Sequence, residues 1–171
     1  MKQSKTSRYS YLAGLVDGEG TIAIKKRDGR DGKSPQYELF LQVVQKDGVV
    51  IDWLYGVFGG MVRRNKCTNP SGELTHIYEW RTQNNKAYEL VKHILPFLIV
   101  KKEQAQVALQ FGNRIRVACG RDEDGRRTRL SEYELSERER LKQKLHELKK
   151  IFRESAVVET KREDSSREGK L

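Results

Sequence analysis

Apolar residues recur along this chain with two periods, and the switches between them mark its elements. Residues 8–16 are apolar at helical spacing and predict a short helix with Ser7 as N-cap; Asp17-Gly18-Glu19-Gly20 stops it. Residues 21–27 alternate, with Ile22 and Ile24 on one side and Ala23, Lys25 and Arg27 on the other, as in a half-buried strand. A turn-rich loop over 28–35 leads to a second strand over 36–45. There Leu39, Leu41 and Val43 share the core face, and Gln36, Glu38, Phe40 and Gln42 share the opposite one.

Residues 49–58 predict a helix closed by Gly59-Gly60, followed by a strand over 61–67, a turn at Asn69-Pro70-Ser71-Gly72 and a strand over 74–81. In that last strand Tyr78 and Trp80 fall on one face, and Ile77, Glu79 and Arg81 on the other. A helix over 84–95 is halted by Pro96, and a further helix spans 101–118. A charged loop over 120–129 precedes a final amphipathic helix or helix pair over 131–152, with Ser136 and Glu139 fitting a capping box. Its stripe of Leu141, Leu145, Leu148 and Phe152 is too short for a zipper and predicts packing on the chain's own core. The pattern divides the chain into a domain over 1–153 and a flexible charged tail over 154–171.

The order αββαββα, followed by C-terminal helices, predicts an α+β layer fold: an antiparallel, curved four-stranded sheet with helices on one face. The uncovered face carries Lys25, Arg27, Gln36, Glu38, Gln42, Arg63, Asn65 and Arg81. A sheet that merely faces water would carry mixed polar residues. This face favours Arg, Lys, Gln and Asn, the side chains that hydrogen-bond guanine and adenine edges in the DNA major groove.

Charge sharpens that reading. The chain has 171 residues and a net charge of +10, with a surplus of +8 in residues 1–120 and only +2 in residues 121–171. A basic surplus concentrated where the strands lie favours a polyanionic partner such as a nucleic acid. No apolar run is long enough for a membrane helix, and acidic residues interrupt the apolar stretch near the N-terminus, so the cytosol, or an organelle if the gene is organellar, is the expected location. Cys67 and Cys119 form no paired motif, and the three histidines, His76, His93 and His146, are scattered. Metal chemistry must therefore rest on carboxylates, which suits hard divalent ions such as Mg2+, with Mn2+ or Ca2+ as substitutes. Gly18 and Gly20 follow a helix and precede a strand, which excludes a nucleotide-binding loop.

The strongest local signal is Leu12-Ala13-Gly14-Leu15-Val16-Asp17-Gly18-Glu19-Gly20. Small residues on an apolar helix let two helix backbones approach, so two copies of the helix can cross at a two-fold axis. That would bring two Glu19 carboxylates together, where a cation is needed to relieve their repulsion. As residues alone, Asp17 and Glu19 read equally well as ordinary turn carboxylates. LAGLVDGEG, however, resembles the signature of the LAGLIDADG homing endonucleases. Leu41-Gln42-Val43-Val44-Gln45 is similar to that family's second strand, and Leu95-Pro96-Phe97-Leu98-Ile99-Val100-Lys101-Lys102-Glu103-Gln104-Ala105 to its helix–Pro–helix segment. The likeness covers roughly residues 8–118 and more loosely the C-terminal helices.

The resemblance implies a metal-dependent endonuclease that hydrolyses double-stranded DNA at a specific site and is encoded within an intron or intein. The single motif implies a homodimer acting on a long, near-palindromic target, with Leu12, Ala13, Gly14 and Val16 at the dimer interface. Glu19 matches the metal-binding acid, Gln45 a polar residue that orders solvent near the scissile phosphate, and Lys101 a basic residue of the active site. A further basic residue of the family has no counterpart after Gln45, and Lys46, Arg63 and Arg64 are the stand-ins. DNA contacts are expected from Ala23, Lys25, Arg27, Arg30, Lys33, Gln36, Glu38, Phe40, Gln42, Arg63, Asn65 and Arg81. The alternatives are a non-catalytic DNA- or RNA-binding protein such as an intron maturase, and a protein-interaction module built on the last helix.

Overall fold

The computed structural model describes residues 4–29, 35–68, 72, 74–117 and 130–168, with backbone alone beyond Ile151. Arg30, Lys33, Cys119 and the charged loop over 120–129 lie outside the described residues. Helix α1 (Lys5–Glu19) leads into strands β1 (Gly20–Arg27) and β2 (Gln36–Gln45), then α2 (Gly48–Phe58), β3 (Met61–Thr68) and β4 (Leu74–Gln83). Helix α3 (Asn84–Ile94), a 3-10 turn (Leu95–Phe97), α4 (Lys102–Val117) and α5 (Glu132–Glu168) follow. The strands form one four-stranded antiparallel sheet in the order β1-β2-β4-β3. This is the expected α+β architecture of two hairpins joined through their second strands.

The alternation in the strands explains the core. Ile22, Leu39, Leu41, Val43 and Trp80 point to the helix side and are fully buried there against Leu12, Val16, Val91, Ile94 and Phe111. Trp80 buries its ring and still satisfies its N–H, which donates to the Gly59 carbonyl at 2.7 Å. That bond fixes the turn from α2 to β3. Gly60 in the same turn has φ +107°, and a Cβ there would lie 2.8 Å from the Arg81 carbonyl oxygen, so only glycine fits.

Two helix starts differ from the sequence expectation. The cap of α1 is Ser4, whose hydroxyl accepts from the Ser7 N–H at 3.1 Å; Ser7 lies inside the first turn. The cap of α5 is Ser131, which accepts from the Glu134 N–H at 3.2 Å, while the Ser136 hydroxyl donates to the Tyr133 carbonyl within the helix. In both cases polar helix-forming residues add a turn that the apolar pattern does not mark. Leu141 and Leu145 of α5 are buried on the chain's own core, as the short stripe predicts. The Tyr37 hydroxyl donates to Glu139 Oε2 at 2.7 Å, and Lys26 lies 3.3 Å from the same oxygen, which ties α5 to the β1–β2 hairpin. The α5 backbone remains helical through Glu168, past the sequence boundary at 153.

Candidate active site

The end of α1 is held by an interlocked pair. The Asp17 carboxylate accepts from the backbone N–H of Ile99 at 2.8 Å and of Lys101 at 2.9 Å. In return the Lys101 ammonium donates to the carbonyls of Val16 at 2.7 Å, Asp17 at 2.9 Å and Gly20 at 2.9 Å. The last carbonyls of a helix lack intrahelical partners and carry the negative end of its dipole. A lysine reaching in from another segment satisfies the Asp17 carbonyl, adds a second donor to the Val16 carbonyl, which also accepts from the Gly20 N–H, and binds the first carbonyl of the following strand. Gly20 permits this crossing: a Cβ there would lie 2.8 Å from the Val16 carbonyl oxygen.

Lys101 is 8% exposed. Burial pushes its ammonium pKa down, opposed by the nearby Asp17 and Glu19 carboxylates. Its three donors match three acceptors, so the ammonium is saturated by backbone rather than open to solvent. In the single chain its described contacts make Lys101 the anchor of the α1–β1 junction.

The two acids of the motif now separate. Asp17 is committed to backbone amides. Glu19 ends α1, is exposed, and has no hydrogen bond or ion pair among the described residues. No group of three or more His, Cys, Asp or Glu side chains that could hold a metal ion occurs among the described residues. A single chain thus offers one free carboxylate at this point. That is a partial donor set for a hard cation, which takes six or more oxygen ligands. Gln45 closes β2 at the same end of the sheet, two residues beyond Val43, the register partner of Gly20. Register also sorts the basic stand-ins. Gln45 lies opposite Tyr78, Tyr78 lies opposite Arg64, and the Arg64 guanidinium sits 5.5 Å from the Tyr78 ring centroid. Arg64 therefore shares the row of Gln45, whereas Arg63 lies one row away opposite Glu79 and Lys46 is exposed beyond the strand end.

The sheet face without helices carries the other candidates. Lys25, Arg27, Gln36, Arg63 and Asn65 are exposed, and Ala23, Glu38, Gln42 and Arg81 are half-buried. Arg27 pairs with Glu38 at 3.0 Å, so part of this face is internally neutralised. Phe40 departs from expectation: it is 5% exposed beneath Lys25 and Arg81 and presents no free edge. Strand register adds Thr21, Val44, Glu79 and Gln83 to the same face; the alternation of period two already contained them.

The dimer-interface set is corrected as well. Leu12, Ala13 and Val16 are fully buried in the chain's own core and cannot also face a second copy. Gly14 does face outward, and with Gly18 it forms an open stripe where an added Cβ would meet nothing within 4 Å. Exposed apolar side chains include Tyr11 at 48% on the same helix, Ile99 at 86%, whose N–H is bound by Asp17, and Val49 at 72% and Val100 at 44%. Tyr11 packs edge-on against Trp53 of α2, with ring centroids 5.0 Å apart. Among the described residues no helix is long and apolar enough to cross a membrane.

No family model and no curated protein matches the chain. Solved structures do. This is the fold of the LAGLIDADG homing endonucleases. The homing endonuclease I-CvuI, in complex with its target in the presence of calcium, aligns at TM-score 0.63 and 21% identity over 84% of this chain and 82% of that one. The archaeal intron-encoded homing endonuclease I-Vdi141I, complexed with DNA, aligns at TM-score 0.64 and 18% identity over 85% of this chain and 86% of that one. I-SmaMI, a LAGLIDADG homing endonuclease bound to cleaved DNA, aligns at TM-score 0.56 and 17% identity over 83% of this chain but 45% of that one.

Proposed function

We propose that this chain is a site-specific endonuclease that acts as a homodimer on double-stranded DNA and requires a divalent metal ion. The observation that carries the proposal is the contrast between the two motif acids: Asp17 is spent on backbone amides, and Glu19 is left free at the tip of α1.

In this reading two copies meet along the outward stripe of Gly14 and Gly18, with Tyr11, Val49, Ile99 and Val100 covering the rim. The two-fold axis would bring both Glu19 carboxylates together, where they would hold a hard divalent ion such as Mg2+, with Mn2+ or Ca2+ as substitutes. Such an ion supplies charge stabilisation at the scissile phosphate and an activated water nucleophile. The remaining roles fall to the protein itself. The uncovered sheet binds the major groove and the sugar-phosphate backbone. Gln45 orders solvent at the reacting phosphate. Lys101 and Asp17 hold the α1–β1 junction so that Glu19 is delivered at a fixed position.

The test is cutting of a plasmid that carries the candidate target, built by joining the sequences that flank an intron or intein containing the gene. Full-length protein should linearise it in Mg2+, and EDTA should stop the reaction. Glu19→Gln should lose cutting while retaining affinity for the same DNA in a mobility-shift assay. Sequence-specific binding without cutting in any metal would instead favour a non-catalytic nucleic-acid binder.

A further inference from the structure

Phe40 is almost fully buried on the one sheet face that no helix covers. Two cations lie against its ring. The Lys25 ammonium lies 4.7 Å from the ring centroid, and the Arg81 guanidinium carbon lies 6.0 Å from it. Strand register shows that this is not simple adjacency. Directly opposite Phe40 stand Ala23 on β1 and Gln83 on β4. Lys25 is two residues beyond Ala23, opposite Glu38, and Arg81 is two residues before Gln83, opposite Gln42. Each cation therefore leans diagonally, from opposite directions, over the same ring. Glu38, the natural partner of Lys25, is taken by Arg27 at 3.0 Å. With its amide oxygen turned toward Arg81, Gln83 accepts from that guanidinium at 2.9 Å, fixing its plane.

Two like charges converging over one ring repel each other. The electron-rich ring face offsets that repulsion in part, and an acceptor-rich group outside the sheet would complete the balance. Guanine presents adjacent O6 and N7 acceptors in the major groove, the arrangement that Lys and Arg donors match. We infer that Phe40 is a specificity-determining positioning residue: its ring aims Lys25 and Arg81 as one unit at guanine in each half-site. This inference rests on the DNA-binding reading of the sheet given above.

The test is selection of bound duplexes from a randomised double-stranded DNA pool by the full chain in Ca2+ buffer, with sequencing of the enriched fraction. The wild-type protein should enrich a near-palindromic motif with guanine at a symmetry-related pair of positions. Lys25→Ala and Arg81→Ala should relax the preference at those positions. Phe40→Leu, close in volume, should weaken guanine preference there by roughly tenfold and leave the rest of the motif unchanged. Phe40→Tyr, which keeps the ring, should retain the preference, and this guards against a general effect of disturbing the sheet. The inference is overturned if Phe40→Leu selects the wild-type motif. It is also overturned if Lys25→Ala and Arg81→Ala weaken all sequences equally with a shallower salt dependence, the signature of phosphate contacts. If the wild-type protein enriches no motif at all, the DNA-recognition reading itself fails, and this inference falls with it.

Discussion

Asp17 and Lys101 hold each other twice: the Lys101 backbone N–H donates to the Asp17 carboxylate at 2.9 Å, and the Lys101 ammonium donates to the Asp17 carbonyl at 2.9 Å. Two segments more than eighty residues apart thereby lock the last turn of α1, and with it the position of Glu19.

Lys101→Met should remove the buried donor shared by three carbonyls and destabilise the fold by about 2–4 kcal/mol. Lys101→Arg should not rescue it, because a planar fork cannot converge on three carbonyls as an ammonium does. Urea unfolding of the two variants checks both statements. A loss within 0.5 kcal/mol of wild type, a deliberately tight bound at about the noise level of surface substitutions, would refute the anchoring role.

Gly20→Ala should also be destabilising, by about 1–3 kcal/mol, since the new methyl meets the Val16 backbone rather than a movable side chain. Gly14→Ala should be near neutral for folding of the single chain, because its Cβ meets open space. Thermal melts of the pair provide the comparison.

Gly14→Arg tests the two-fold axis. The single chain accommodates the side chain in open space, so secondary structure by circular dichroism should persist. Sedimentation should shift from dimer to monomer, and DNA cutting should fall together with it. A variant that stays dimeric would remove the outward stripe of α1 from the interface.

Glu19→Gln should reduce DNA cutting by more than ~100-fold while changing DNA affinity in Ca2+ by far less. Product formation under single-turnover conditions gives the first quantity and a mobility-shift titration the second.

Acid stability should depend on Glu139. Hydrogen bonds from Lys142, Tyr37 and Lys26 hold its carboxyl at about 2, below the ordinary value of 4.5. Because the folded-state value is depressed, the stabilisation is fully present above the unfolded value and is lost as pH falls from there through about 2. Glu139→Gln should cost about 1–2 kcal/mol at neutral pH, after allowance for solvent screening, and flatten stability across that acid window. Denaturant midpoints measured at neutral and acid pH for wild type and variant decide the matter.

Much of the architecture was legible because period and punctuation agree. The strand over 36–45 was read with its observed bounds, since Tyr37, Leu39, Leu41 and Val43 alternate between turn residues at both ends. Ser7 and Ser136 were misread as caps because polar residues continue a helix without any apolar mark. Leu12, Ala13 and Val16 were read as interface because an apolar helix face does not say whether its partner is the same chain or a second one. The face actually left open, Gly14 and Gly18, was visible as small residues but not as outward ones.

The sequence by itself determined the element order, the two faces of the sheet and the basic bias of the uncovered one, because side-chain period follows backbone geometry residue by residue. It also marked Glu19, Gln45 and Lys101 as a set. Only the tertiary structure decided what each does with its polar atoms. The Lys101 ammonium is turned inward onto three carbonyls, Asp17 is consumed by two amides, and Phe40 lies under two cations from neighbouring strands. Those are contacts between residues distant in sequence. Local propensity carries no information about them, since hydrogen-bond partners are set by where the folded chain places donors and acceptors.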